Sequence, residues 1–365
     1  MSRIRFLMIG GFLGAGKTTA IARIARHYMD GGRSVGLVTN DQAYHLVDTH
    51  ALRAQGFRVG EVPGACFCCQ FDDLVQTAQS LAIDERPDVI ITEPVGSCTD
   101  LVATVIEPLR AWHGDEYDLA PLVVLLKPEH GTKILADRPG VGFSPKAAYI
   151  FLKQIEEADV VAINKLDKLS PEQRDELIDL VRHRYPQKSI MGVSAKTGDG
   201  FDRLLESLEQ PGPTHTSFMD VDYQLYGEGE AELGWLNCNV TVTSTGRKFS
   251  LDELLMDTIG GLQTRLVQTG AEPAHLKLLG QAGEDSAVAN VVGSDVAPEL
   301  SRPSRAFTRT AQVIVNARVA TDPDELAQLL HRALQFVAEQ RDLTFDIKNL
   351  QNFRPQPPVP THRVV

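Results

Sequence analysis

Gly11-Phe12-Leu13-Gly14-Ala15-Gly16-Lys17-Thr18, continued by Thr19, follows the apolar run Ile4–Ile9 and leads into the helical pattern Thr18–Met29. A glycine-rich loop between a strand and a helix is the context in which this pattern binds phosphate. Glycines let the backbone wrap closely, so that successive N–H groups point at phosphate oxygens. Lys17 is then expected to reach the β- and γ-phosphates, and the Thr18 hydroxyl to hold Mg²⁺. Gly11, Gly14, Ala15, Gly16, Lys17, Thr18 and Thr19 are therefore the expected phosphate-binding residues.

Outward from this loop, apolar runs recur at Val35–Thr39, Val89–Thr92, Leu122–Leu126, Val160–Asn164 and Ile190–Ser194, with helix-like stretches between them. Two of those stretches open with Ser-Pro, at Ser144-Pro145 and Ser170-Pro171, an N-cap followed by proline at the first helical position. Non-alternating apolar strands separated by helices predict a sheet covered on both faces. The expected fold class is α/β: a P-loop NTPase domain with a mainly parallel sheet over residues 1–210. Gln210-Pro-Gly-Pro-Thr214 reads as the start of a linker, 211–219. Beyond it, over 220–350, a smaller α+β domain is expected. Its strands are predicted near Gly234–Val242, His275–Leu279, Ala287–Val292, Ala311–Val319 and Leu343–Lys348. A helix opens with a capping box at Ser250-Leu-Asp-Glu253 and runs to about Thr269, and a second opens at Asp322-Pro-Asp-Glu325. That β-α-β-β-β-α-β order is ferredoxin-like, and a proline-rich, extended tail, 351–365, follows.

Composition bounds the partners. The chain has 365 residues and a formal net charge of −12 at pH 7, a poor basis for binding nucleic acid or an anionic membrane. Its longest apolar runs fall far short of the roughly 20 residues of a membrane helix. The N-terminus runs straight into the glycine-rich loop without room for a signal peptide, so a cytoplasmic location is expected. A reducing compartment keeps the five cysteines available to metals or catalysis rather than disulfides.

Asn164-Lys165-Leu-Asp167 follows its strand directly. A carboxylate there can accept from N1–H and the 2-amino group of guanine, a donor pair that adenine lacks, and such a site rejects the wrong base strongly. Asn164 is expected to brace the loop and the Lys165 stem to cover the base. Ser194-Ala195-Lys196, ending the next strand, is the expected second base-contacting loop. Together with the phosphate loop, this order is that of a GTPase.

Thr92-Glu93-Pro-Val-Gly96 pairs an acid for the Mg²⁺ shell with a glycine N–H for the γ-phosphate; the plain alternative is that Glu93 caps a turn. Asp41, ending the Val35–Thr39 strand and expected beside the phosphate loop, either helps to hold Mg²⁺ and orient the attacking water or caps a helix. Lys17, Asp41 and Glu93 are the candidate catalytic residues. Cys66-Phe-Cys68-Cys69 puts three thiols within four residues, able to converge on one soft ion such as Zn²⁺ or another transition metal and leaving a fourth position open. Buried apolar cysteines are the bland reading. Cys98 is expected in the core or in support of the cluster, and Cys238 in the core.

On these residues the chain resembles the CobW-type family of metallochaperone GTPases, related to the GTPases that insert nickel into urease and hydrogenase. Asn40-Asp41 stands where the family usually has Asn-Glu, and Asp48 where it has a following Asp. Gly64-Ala65 replaces the usual Asn-Gly, and Glu93-Pro-Val-Gly-Ser-Cys98 replaces the commoner Glu-Thr-Ser-Gly. The resemblance implies a GTP-hydrolysing metallochaperone or metal insertase for zinc or cobalt, with GTP and Mg²⁺ as ligands and an unidentified client metalloprotein as partner. A homodimer is also admitted. The competing reading is a regulatory GTP switch with a structural zinc clip.

Overall fold

Every residue of the first strand, β1 (Ile4–Gly11), is buried, which is what a strand covered on both faces requires. The computed structural model describes residues 2–42, 47–82, 86–136 and 144–365. Seven further strands belong to the same sheet: β2 (Val35–Asp41), β3 (Arg58–Pro63), β4 (Val89–Glu93), β5 (Tyr117–Leu119), β6 (Val123–Leu126), β7 (Val160–Ile163) and β8 (Ser189–Gly192). Their order is β3-β2-β4-β1-β6-β7-β8, with β5 also pairing β1, and every pairing is parallel. The six runs predicted as strands are present. β3 and β5 are additional: β3 is an edge strand only partly buried, and β5 has three residues, so neither makes an apolar run.

The helices that follow these strands are α1 (Lys17–Asp30), α2 (Val47–Arg53), α3 (Phe71–Ser80), α4 (Glu107–His113), α5 (Pro128–Leu135), α6 (Pro145–Glu157), α7 (Pro171–Arg184), α8 (Phe201–Leu208) and α9 (Tyr223–Ala231). Both Ser-Pro starts cap as expected. Ser144 Oγ accepts the N–H groups of Lys146 and Ala147 at 3.2 Å, and Ser170 closes a capping box with Gln173. Gly11 has φ 131°, and a Cβ there would lie 2.4 Å from the Leu125 carbonyl oxygen. Only glycine lets β1 end so close to β6.

Among the described residues, one compact unit comprises those up to Gln42, 56–229 and 357–365, and a second those from Val47 to Gln55 and 230–356. This differs from the expected boundaries in three places. The stretch read as a linker packs on the first unit: Gly212 N–H bonds Leu119 O at 2.8 Å, and Arg110 bonds Pro213 O at 2.8 Å. The proline-rich tail returns to that unit too, with Val364 N–H on Ala103 O at 2.9 Å. Finally, α2 belongs to the second unit. Its Val47 and Ala51 cluster with Leu279, Val288 and Ile314, and Asn316 Oδ1 accepts Val47 N–H at 2.9 Å.

The second unit holds strands β9 (Gly234–Ser244), β10 (Phe249–Ser250), β11 (Glu272–Ala282), β12 (Asp285–Val291), β13 (Glu299–Arg302), β14 (Phe307–Thr308), β15 (Thr310–Ala320) and β16 (Leu343–Phe353), with helices α10 (Leu251–Thr269) and α11 (Pro323–Arg341). Six strands form one antiparallel sheet, β13-β12-β11-β15-β9-β16, and β10 pairs β14 separately. The expected β-α-β-β-β-α-β order is present as β9-α10-β11-β12-β15-α11-β16, in which β9-α10-β11-β15-α11-β16 is the ferredoxin-like path, and β10, β13 and β14 are additional. Leucines of both helices and valines of the sheet share one core. At α10, Ser250 Oγ accepts Glu253 N–H, while the Glu253 carboxylate pairs with Arg341 at 2.8 Å. Among the described residues no helix is long and apolar enough to cross a membrane.

Glu157, at the end of α6, is buried and accepts Leu101 N–H at 2.6 Å and Val102 N–H at 3.3 Å. Burial, with the Asp100 charge nearby, pushes its carboxyl up to about 8. A raised carboxyl favours the folded state below its unfolded pKa and loses that advantage as pH climbs to the folded value. Glu157→Gln keeps a carbonyl acceptor without titrating. The stability of the natural chain relative to this variant, measured by urea unfolding, should fall from pH 5 to pH 8.5 and then level off. A difference independent of pH would place the carboxyl in its ordinary range.

Candidate functional site

Residues between the end of β1 and the start of α1 form the glycine-rich loop. Gly16 caps α1 with φ 91°, and a Cβ there would lie 2.5 Å from Asn164 Nδ2. That amide explains the constraint. Asn164 Nδ2 donates to Ala15 O at 2.8 Å, and its Oδ1 accepts Ala195 N–H at 2.9 Å. One side chain therefore ties the glycine-rich loop to the Ser194–Lys196 loop. The Ser194 hydroxyl donates to Asp167 Oδ1 at 2.6 Å, and Asp167 is exposed. Lys165 adopts a left-handed φ of 62° with its stem near Gly16. Arg23, on α1, was not singled out in the sequence. It donates to the carbonyls of Ala195 and Lys196 at 2.9 and 3.0 Å.

On the other side of β1, β4 delivers Glu93. Thr18 Oγ1 donates to Glu93 Oε1 at 3.1 Å, so two hard oxygen ligands of the kind Mg²⁺ prefers stand together. Lys17 Nζ donates to Gly11 O at 2.9 Å, and a Cβ on Gly96 would come 3.1 Å from that ammonium. Lys17, Thr18, Glu93 and Gly96 are thus brought to one place. Asp41 ends β2. β4 pairs with both β1 and β2, so β2 is one strand removed from the glycine-rich loop. Asp48, the other expected acid, sits on α2 in the second unit, ion-paired with Lys277.

The end of β2 instead anchors the cysteine loop. Asn40 Nδ2 donates to Val62 O at 2.7 Å and Ala65 O at 2.6 Å, and its Oδ1 accepts Phe67 N–H at 2.9 Å. Asp41 O accepts Gly64 N–H at 3.0 Å. Held in this way, the sulfurs converge: Cys66 to Cys68 is 2.9 Å, Cys66 to Cys69 is 3.2 Å and Cys68 to Cys69 is 3.8 Å. A tetrahedral zinc site with Zn–S near 2.3 Å separates its sulfurs by about 3.8 Å. The three donors therefore fit one soft ion with little spreading. Hydrogen bonds from Cys68, Cys69 and Cys98 hold the Cys66 thiol well below the usual range. The contact with Cys66 pushes Cys68 well above it and, with burial, Cys69 up to about 11.

Residues of the returning tail, which no sequence signal marked, lie on this loop. Thr361 N–H donates to Cys68 O at 2.8 Å and Thr361 Oγ1 to Cys69 O at 2.9 Å. His362 packs against Phe71 and Trp112, with ring centroids at 5.2 and 4.5 Å. Cys238 is core, on β9, as expected.

The profile of the CobW/HypB/UreG nucleotide-binding domain matches residues 5–191. The chain is similar to the zinc chaperone YeiR of Escherichia coli (strain K12), with 29% identity over 177 residues, 47% of this chain and 49% of that protein. It is also similar to the zinc chaperone CobW of Sinorhizobium sp, with 27% identity over 224 residues, 54% of this chain and 60% of that one. The chain thus spans about half to three-fifths of the length of these relatives. Among solved structures, HypB from Helicobacter pylori in complex with nickel aligns at 19% identity and a TM-score of 0.41, over 59% of this chain and 92% of that one.

Asn40→Ala removes a buried amide that makes three hydrogen bonds and should lower the unfolding free energy by about 2–4 kcal/mol. Chemical denaturation measures it. A loss below about 0.5 kcal/mol, the usual effect of a surface change, would contradict the anchoring role.

Proposed function

We infer that this chain, which belongs to the CobW/HypB/UreG nucleotide-binding family, is a GTPase that uses nucleotide state to control a thiolate site carrying a divalent metal to a client protein. The observation that carries this reading is the Asn40 amide. It fastens the cysteine loop to the β2 end, beside the strand that bears Glu93. The names of two relatives, both zinc chaperones, support zinc as the cargo.

In this reading Lys17 leaves Gly11 O to meet the β- and γ-phosphates, while backbone N–H groups of Gly14 to Thr19 surround them. Thr18 and Glu93 are the residues that would hold Mg²⁺, whose charge would offset that of the phosphates. Gly96 offers its N–H to the γ-phosphate, and Asp41, from the β2 side, is the acid available to the attacking water. Water adds to the γ-phosphorus, the bond to the bridging oxygen breaks, and GDP and phosphate leave. Asp167 accepts from guanine, with Ser194 holding its carboxylate, Asn164 bracing the loop, the Lys165 stem over the base, and Ala195 and Lys196 at its edge.

Cys66, Cys68 and Cys69 take the metal as cargo. Since Cys68 and Cys69 must lose their protons to bind it, affinity weakens as pH falls. The near-complete burial of Cys66 and Cys68 favours one rival, a structural zinc clip on a GTP switch. A clip would hold its metal without exchange in every nucleotide state.

Base choice offers a direct test of the nucleotide half. Asp167→Asn places an amide donor against a guanine donor, so GTP affinity should fall on the order of 100-fold or more, while xanthosine triphosphate, with an acceptor at that position, should gain. Binding titrations of both nucleotides measure this. Unchanged GTP affinity would remove Asp167 from the base site.

A further inference from the structure

Resting on the reading of Cys66, Cys68 and Cys69 as the metal site, we propose that Thr361, His362 and Arg363 form a latch that holds the cysteine loop shut on its ion and answers to the segment bearing Glu93 and Gly96. Thr361 directs both of its donors at the loop, its N–H to Cys68 O at 2.8 Å and its Oγ1 to Cys69 O at 2.9 Å. A carbonyl held in this way fixes a whole peptide plane, and with it the direction of the neighbouring Cα–Cβ bonds. Asn40 holds the other end of the loop, at Ala65 O and Phe67 N–H. Thr361 adds its two bonds at the Cys68–Cys69 end.

Arg363 reaches the nucleotide side. Its Nε pairs with Asp100 Oδ2 at 2.8 Å, and Tyr223 OH donates to the same oxygen at 2.6 Å. Asp100 is buried and has φ 64°, a conformation that persists only where its surroundings hold it. It lies four residues after Gly96. Between the two, Gln154 Nε2 donates to Gly96 O at 3.1 Å and to Cys98 O at 2.8 Å. A shift of Gly96 toward a γ-phosphate therefore reaches Asp100 through a braced turn.

The way this segment is held makes it the part that opens first. Thr361 is exposed, and His362, Arg363 and Val364 are half-buried. His362 packs edge-on against Phe71 and against Trp112, itself 55% exposed, and Val364 N–H bonds Ala103 O at 2.9 Å. A surface segment held by hydrogen bonds, one ion pair and one ring contact opens at a smaller free energy than a packed core. Cys66 and Cys68, by contrast, are 2% and 1% exposed, so an ion on their sulfurs leaves only when a neighbouring segment moves.

With the latch closed, the Cys68 and Cys69 carbonyls are pinned and the ion is retained. When the Gly96 segment shifts on phosphate contact, Asp100 moves away from Arg363, the latch loosens, and Cys68 and Cys69 are free to turn. Metal then passes by ligand exchange: one donor of the client replaces each departing thiolate, which takes up a proton from solvent.

The test is the rate of zinc release from the full chain into excess chelator under reducing conditions, with GDP and with a non-hydrolysable GTP analogue. The natural chain should release zinc faster with the analogue. With GDP, Thr361→Val should release it about fivefold faster than the natural chain, the effect of one neutral hydrogen bond, and Thr361→Ser should restore the natural rate. Arg363→Met, which cuts the charged link to Asp100, should release zinc roughly tenfold faster and at one rate in both nucleotide states. In cobalt-loaded chains the thiolate charge-transfer band should keep its natural intensity in both variants, because all three sulfurs remain ligands; a general loss of fold would weaken it. Natural release rates in Thr361→Val or Arg363→Met would overturn the latch. Cys66→Ser separates the two readings: if it leaves zinc binding intact, the metal site itself is misassigned and the latch falls with it. If it abolishes binding while the two latch variants release zinc at the natural rate, only the latch fails.

Discussion

Parallel pairing of β4 with β1 on one side and β2 on the other is the constraint on which the site depends. It sets Glu93 against Thr18 of the glycine-rich loop and, through the register that opposes Thr39 to Glu93, brings the β2 end alongside. Asn40 then carries the connection to the cysteine loop with three hydrogen bonds. A displacement at the β4 end has a short, hydrogen-bonded route to the sulfurs. A buried amide with both its oxygen and its nitrogen engaged transmits position well, because each broken bond leaves a polar group unsatisfied.

The cluster's electrostatics follow from the same crowding. Close contact and burial pull the three thiols apart in acidity, Cys66 downward and Cys68 and Cys69 upward. The loop is also shaped by contacts away from the sulfurs. Its carbonyls are held by Thr361 and its N–H of Phe67 by Asn40.

What was legible in the sequence is what short-range pattern encodes. The glycine-rich loop, the Ser-Pro helix starts and the fully buried strands each declare themselves within about ten residues, and the cysteine triplet does so in four. β3 escaped because its residues are only partly buried, as an edge strand permits. Strand order is a long-range property: nothing between Val35 and Asp41 says that β4 stands between β2 and β1. The same holds for Arg23, Gln154 and Tyr223, whose partners lie 56 or more residues away. The departure of α2 into the second unit, and the return of 357–365 to the first, depend on partners equally remote in sequence.

Coupling between nucleotide and metal is the central claim, and linkage makes it measurable from either side. The most direct measurement is zinc affinity by chelator competition at fixed pH, in the nucleotide-free protein, with GDP and with a non-hydrolysable GTP analogue. The account predicts that the constants differ by 5- to 150-fold between nucleotide states, corresponding to about 1–3 kcal/mol. Identical zinc constants in all three states, with both ligands bound, would contradict it.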